Sequence, residues 1–180
     1  MKLFTIGHSN HTQEKLVQLL VDNAIQILVD VRTSPYSRYN PQFNKDNLEF
    51  WLSRSHITYI YSGKHLGGRP SDPSCYKHGK VPEEETDYLH EVDYRAVMQK
   101  PWFEKAIDQL LETAAESTTA ILCSEEDPAN CHRHHLIARY LLELFPEVEV
   151  RHIRGDGTVY GASAIIKSVD EEKGNQLKLF

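Results

Sequence analysis

The chain has 180 residues, 40% of them apolar and 26% charged, with 26 acids against 20 bases and a formal charge of −6. That balance, in a length suited to one compact domain able to bury a core without disulfides, excludes a disordered chain and a broadly basic nucleic-acid coat. No apolar run of about 18 residues is present, so no membrane span is expected. The start, Met1 to His8, is too soon polar for a signal peptide, and three cysteines, an odd number, fit a reducing, cytoplasmic setting.

In chain order, Leu3 to Ile6 predicts a buried strand that ends at Gly7-His8-Ser9. Leu16, Leu19 and Leu20 follow helical spacing behind Thr12, a suitable N-cap. Ile25 to Val31 is nearly all apolar, as a strand covered on both faces requires. Asn44 is placed to cap a helix carrying Leu48, Trp51 and Leu52, and Ile57 to Tyr61 predicts the third strand. A polar Gly/Pro-rich loop runs from Ser62 to about Glu85; loops of that length usually carry function or move. Residues 87–116 are helical in pattern and are divided in two by Pro101. Ala120 to Cys123 is the fourth strand, Pro128 to Phe145 an amphipathic helix capped by Asp127, and Val148 to Ile153 the fifth strand. Strand–helix alternation of this kind implies an α/β, Rossmann-like three-layer domain over residues 1–166, with a mainly parallel sheet of about five strands. Residues 167–180 read as a flexible tail.

In open α/β sheets ligands bind beyond the carboxyl ends of the strands, and polar chemistry recurs there in this sequence. His8 and Ser9 follow the first strand; Asp30 and Arg32, with Arg38 beyond, follow the second; Gly67 and Gly68 follow the third. Cys123 and Glu125 close the fourth, while His152 and then Asp156 close the fifth. Alternation puts Asp30 and Arg32 on one side of their strand, where they either pair with each other or bind a ligand. A helix starting at Pro128 sets Cys131, His132 and Arg133 in or just after its first turn, where amide groups and the helix dipole favour an anion and lower a thiol pKa. Cys123, Glu125, Cys131, His8 and His152 are the candidates for nucleophilic or acid–base work. Ser9, Asp30, Arg32, Arg38, Gly67, Gly68, His132, Arg133 and Asp156 are the candidates for holding substrate or anion. Tyr36, Tyr39 and Tyr61 are near enough to stack a base. Cys123, Cys131 and either His132 or His135 are of the types that hold a metal, but the spacing of the two cysteines matches no standard zinc knuckle and a second Cys pair is missing, so no metal is assigned and the cofactor is left open.

Thr5-Ile6-Gly7-His8-Ser9, Leu28-Val29-Asp30-Val31-Arg32, Leu66-Gly67-Gly68, Cys123-Ser124-Glu125 through Cys131-His132-Arg133, and His152-Ile153 with Asp156-Gly157 together resemble the family named domain of unknown function 488. The resemblance implies an α/β domain and marks these positions as the recurring ones; it supplies no reaction. The Asp30-Val31-Arg32 strand is superficially similar to one in rhodaneses, whose short catalytic cysteine loop is missing here. The last five residues, Gln176-Leu177-Lys178-Leu179-Phe180, resemble the pentapeptide by which bacterial repair and replication proteins bind the sliding clamp, with Lys178 departing at the middle position. Gln176, Leu177, Leu179 and Phe180 are the residues that would make that contact.

These features lead to the expectation of a DNA-associated enzyme of nucleic-acid repair or processing, tethered to the clamp and acting on nucleic acid or a nucleotide. The alternatives are a thiol-dependent transferase or hydrolase of a small nucleotide or sulfur compound, and a non-catalytic anion-binding module.

Overall fold

A computed structural model describes residues 1–83 and 86–165. Six strands form one sheet: β1 (Lys2–Gly7), β2 (Ile27–Asp30), β3 (Thr58–Tyr61), β4 (Thr119–Cys123), β5 (Glu149–Ile153) and β6 (Val159–Gly161). Their order is β3-β2-β4-β1-β5-β6; all neighbours are parallel except β5 and β6, which form an antiparallel edge hairpin. The architecture is α/β with helices on both faces, consistent with a Rossmann-like three-layer fold. The sixth strand escapes the sequence pattern because Val159–Gly161 is only three residues long and half-buried, too short for a period to register.

Side-chain alternation divides the core in two. Leu3, Val29, Val31, Ile121, Cys123 and Val150 face one layer, and Ile6, Leu28, Ala120, Leu122 and Ile153 face the other. The second layer is built by α1 (Gln13–Asp22) and α2 (Lys45–Arg54), which bury Leu16, Leu19 and Leu20, and Leu48 and Leu52. Thr12 caps α1 by accepting from the Lys15 amide. Asn44 stands at the head of α2, but its side chain accepts from the Ser37 amide at 2.6 Å and so pins the preceding loop instead of the helix.

The first layer contains more elements than the pattern predicts. The described part of the Ser62 to Glu85 region, up to Glu83, holds the short helix α3 (Gly63–Leu66) and a tight turn at Pro73–Cys75, and it buries Leu66, Cys75 and Tyr76. Residues 87–116 form three helices, α4 (Tyr88–Glu91), α5 (Tyr94–Met98) and α6 (Pro101–Glu116). Asp87 and Asp93 cap the first two through side-chain bonds to backbone amides, which is why the run breaks before Pro101 is reached. Pro128 opens only a single tight turn, Pro128–Asn130, with Asp127 accepting from the Ala129 amide. The main helix starts after Cys131: a π-helical stretch, Arg133–Ala138, runs on into α7 (Arg139–Leu144). Cys131 therefore lies at the helix head, its carbonyl accepting from the His134 and His135 amides. Among the described residues, no helix is long and apolar enough to cross a membrane.

Candidate functional site

The carboxyl ends of β1, β2 and β4 meet at the centre of one sheet edge, and the sheet plane divides the polar residues gathered there into two groups. On the α1/α2 side, Asp30 is fully buried and Arg32 nearly so. Arg32 donates Nε to Asp30 Oδ1 at 2.9 Å and Nη2 to Asp30 Oδ2 at 2.5 Å, a two-pronged pair, and Nη2 also donates to the Phe43 carbonyl at 2.9 Å. Tyr59 donates its hydroxyl to the same carboxylate at 2.8 Å. His8 completes the group. Its Nδ1 lies 2.8 Å from the Ser9 carbonyl, an acceptor, so Nδ1 carries the hydrogen and Nε2 accepts from Arg32 Nη1 at 3.2 Å. Burial, resisted by the Ser9 bond, lowers the His8 pKa to about 4. The Arg32 fork is thus already engaged by groups of its own chain.

On the opposite side, Cys123 ends β4 and Cys131 heads the last helix; the turn from Ser124 to Asn130 returns the chain so that the two thiols lie together, buried. His132 Nδ1 is 3.5 Å from Cys123 Sγ and 4.0 Å from Cys131 Sγ. Burial alone would raise the Cys131 thiol, but the bond from the Cys123 thiol, with His132 and Arg133 beside it, holds it well below the ordinary range. That same bond, added to burial, holds Cys123 well above it. Tyr94 of α5 is close enough to be raised by burial and by both sulfurs. It also lines a cavity of about 250 Å³ that opens between α5 and the last helix, beside Asp93, Met98, His135 and Arg139.

Arg133 is fully buried beneath the helix head. Its Nε donates to Thr5 Oγ1 at 3.2 Å, Nη2 to the Glu126 carbonyl at 2.7 Å, and Nη1 to the Glu125 carbonyl. Thr5 Oγ1 lies 2.7 Å from His152 Nδ1, and His152 Nε2 lies 3.1 Å from His134 Nδ1, so a continuous polar chain runs from Arg133 into the core. Burial, then the neighbouring positive charges, lowers His134 to about 4 and His152 to about 3.

Arg32, Cys131 and His152 therefore do not share one open hollow. Arg32 and His8 lie under α1 and α2, the thiols lie on the other face, and His152 sits deeper, paired in register with Thr5 and not at the strand tip. Arg133 joins the last two groups, and Cys123 lies within reach of the Arg32 charge.

The other predicted residues take varied positions. Ser9 adopts φ 46° and donates its amide to the Ser124 carbonyl, locking the β1 end to the β4 end. Gly7 is required there, since a Cβ would overlap the Glu125 carbonyl. A Cβ on Gly68 would come within 2.7 Å of the His132 ring, and one on Gly67 would strike the Gly63 carbonyl. The Glu125 and Arg38 side chains are exposed. Asp156 accepts from the Thr158 amide and hydroxyl and shapes the β5–β6 turn. Gln176, Leu177, Leu179 and Phe180 lie outside the described residues. Sequence reasoning missed Thr5, His134, Tyr59 and Tyr94 as partners, and also the clasp of Glu126 with Arg154 at 2.6 Å. Thr5 alone left a signal, a polar residue inside an apolar strand.

The sequence profile of the family described as "Domain of unknown function DUF488" matches residues 12–141. The chain belongs to the DUF488 family. The matched region takes in Asp30, Arg32, Gly67, Gly68 and the whole Cys123 to Arg133 segment, whereas His8, His152 and the pentapeptide fall outside it. No curated protein and no solved structure matches this DUF488 chain.

Proposed function

We propose that this DUF488 chain is an enzyme of nucleic-acid repair or processing, recruited to DNA by its C-terminal pentapeptide. The observation that carries the reading is the segregation of cations and stacking faces. Residues 32–80 hold eight of the 20 Lys and Arg but only three of the 26 acids, in a chain whose formal charge is −6. Of these eight, Arg38, Lys64 and Arg69 are exposed on the segments that follow β2 and β3, whereas Arg54 ends α2 and Lys77 lines the cavity beside α5. Thr33 ties the two loops together, its carbonyl accepting from the Tyr61 hydroxyl at 2.9 Å and its hydroxyl from the Arg69 amide at 3.1 Å. Around it Tyr36, Arg38, Tyr39, Lys64 and Arg69 are exposed, Tyr39 to 88%, and Lys45 stands 5.8 Å from the Tyr61 ring. Aromatic faces that stack bases, with cations that track the backbone, are how single-stranded nucleic acid is bound without sequence preference. A clamp tether would raise the local concentration and so offset the acidic remainder of the surface.

Fluorescence anisotropy with a labelled single-stranded oligonucleotide tests the reading. Binding is expected to fall steeply with salt, and Tyr39→Ala is expected to weaken it about fivefold or more, the equivalent of about 1 kcal/mol of stacking. Deleting residues 176–180 is expected to leave oligonucleotide binding intact while abolishing co-precipitation with the sliding clamp. An intact chain that captures neither oligonucleotide nor clamp overturns the proposal.

A further inference from the structure

Three potential ligand atoms meet between the end of β4 and the head of the last helix: Cys123 Sγ, Cys131 Sγ and His132 Nδ1 all lie within 4.8 Å of one another. A tetrahedral zinc ion, with bonds of about 2.3 Å to sulfur and about 2.0 Å to nitrogen, sets a sulfur and a nitrogen ligand about 3.5 Å apart and two sulfurs about 3.8 Å apart. The separation from His132 Nδ1 to Cys123 Sγ, 3.5 Å, equals such an edge, and that to Cys131 Sγ, 4.0 Å, is longer, so the Cys131 side chain closes in slightly when the ion binds.

The imidazole is oriented for the task. His132 Nε2 lies 3.1 Å from the Val31 carbonyl, which can only accept, so Nε2 carries the hydrogen and Nδ1 turns its lone pair toward the sulfurs. An imidazole fixed through its far nitrogen in this way is the usual outer support of a metal-bound histidine. Gly68 packs so closely on the ring that a Cβ there would lie 2.7 Å from it, which keeps the ring from swinging away. The donor set is two sulfurs and one imidazole with no carboxylate, a set that selects zinc over magnesium or calcium.

We propose that Cys123, Cys131 and His132 bind one zinc(II) ion, its fourth coordination position left open by the described residues. With the Cys123 proton released to solvent, two thiolates and a neutral imidazole meet a charge of +2 and the buried site is neutral. The site is independent of the nucleic-acid reading and survives that reading's failure.

The experiment uses the full chain, purified under reductant and without chelator. Elemental analysis is expected to find about one zinc per chain. Titrating the stripped protein with cobalt(II) is expected to produce a thiolate-to-cobalt charge-transfer absorption with the visible bands of a tetrahedral ion, both removed by added zinc. Cys123→Ser, Cys131→Ser and His132→Gln are each expected to weaken binding about 100-fold or more, while Cys75→Ser, outside the cluster, leaves it unchanged. The cluster variants alter a packed region, so the wild-type chain supplies a second measurement: zinc is expected to slow iodoacetamide modification of Cys123 and Cys131 at least about tenfold. Absence of both the charge-transfer absorption and zinc protection overturns the proposal. So does a Cys123–Cys131 disulfide in the reduced preparation, detected as an intact mass lower by two hydrogens.

Discussion

Replacing Arg133 by alanine is expected to destabilise the protein by about 3–5 kcal/mol, a large share of the total stability of a domain this size. The side chain is fully buried and divides its donors among Thr5 Oγ1 and the carbonyls of Glu125 and Glu126. Removing it leaves these acceptors without their partner, at about 1–3 kcal/mol for each buried one, and opens a cavity under the helix head. Arg133→Met separates the two effects, because it keeps most of the volume and none of the donors. Its loss is expected to be smaller than that of alanine yet above about 1 kcal/mol. Arg133→Lys is not conservative here, since one ammonium cannot span a hydroxyl on β1 and two carbonyls in the turn after β4. Urea denaturation of the three variants checks the order. If Arg133→Met were as stable as the wild type, the cost of burying the guanidinium would match what its hydrogen bonds return, and the residue's hold on the Ser124 to Asn130 turn would be disproved.

Stability is also expected to collapse between pH 6.5 and 4, above the range in which most carboxylates titrate. His8, His134 and His152 have native pKa values of about 4, about 4 and about 3, against 6.5 for a free imidazole. Each is lowered, so the native state holds it neutral and the unfolded chain binds the extra proton. The contribution is therefore complete above pH 6.5 and is lost as the pH falls toward the native values. At pH 5 the loss is about 2 kcal/mol for one imidazole so lowered, and because His134 and His152 are bonded to each other the three together lose less than three times that, still a large share of a small domain's stability. Urea midpoints measured at pH 7.5, 6 and 5 check this: a steep fall with an unchanged denaturant slope is expected. A midpoint constant from pH 7.5 to 5 would show that these histidines take up protons in the folded protein as readily as in the unfolded chain, and would overturn the prediction. The carboxylates held down by ion pairs, Glu126 by its bond from Arg154 and Glu143 by its bond from Arg95, add their own loss at lower pH.

The zinc proposal and the Arg133 prediction concern the same stretch of chain. The turn that Arg133 holds is the one that returns Cys131 to Cys123, so a loosened turn is expected to weaken metal binding as well as the fold. The nucleic-acid reading draws on a different region, the rim around Thr33, and on residues whose side chains are largely exposed. A failure of either proposal leaves the other standing.

The α/β class and the positions of five parallel strands were written in local patterns: apolar runs of strand length alternating with stretches of helical period, each closed by a polar tip. Alternation along β2 also sufficed to put Asp30 and Arg32 on one side, because a strand has a period of two wherever it lies. The identity of the tip residues was legible for the same reason, since they follow directly from where each apolar run stops. Their grouping was not. Arg32 and Cys123 fall on opposite sides of the sheet, while Arg133, Thr5, His152 and His134 join into one buried chain across β1, β5 and the last helix. The seven residues between Cys123 and Cys131 likewise concealed how near the two thiols come, because a tight turn at Pro128 and a helix beginning at His132, not at Pro128, set that distance. Sequence determined which groups reach the carboxyl edge, because local periodicity fixes where a strand ends and which way its side chains alternate. Only the tertiary structure decided which of them touch, because contact across a sheet depends on strand order and on where the returning helix begins, and both are set by packing between segments far apart in the chain.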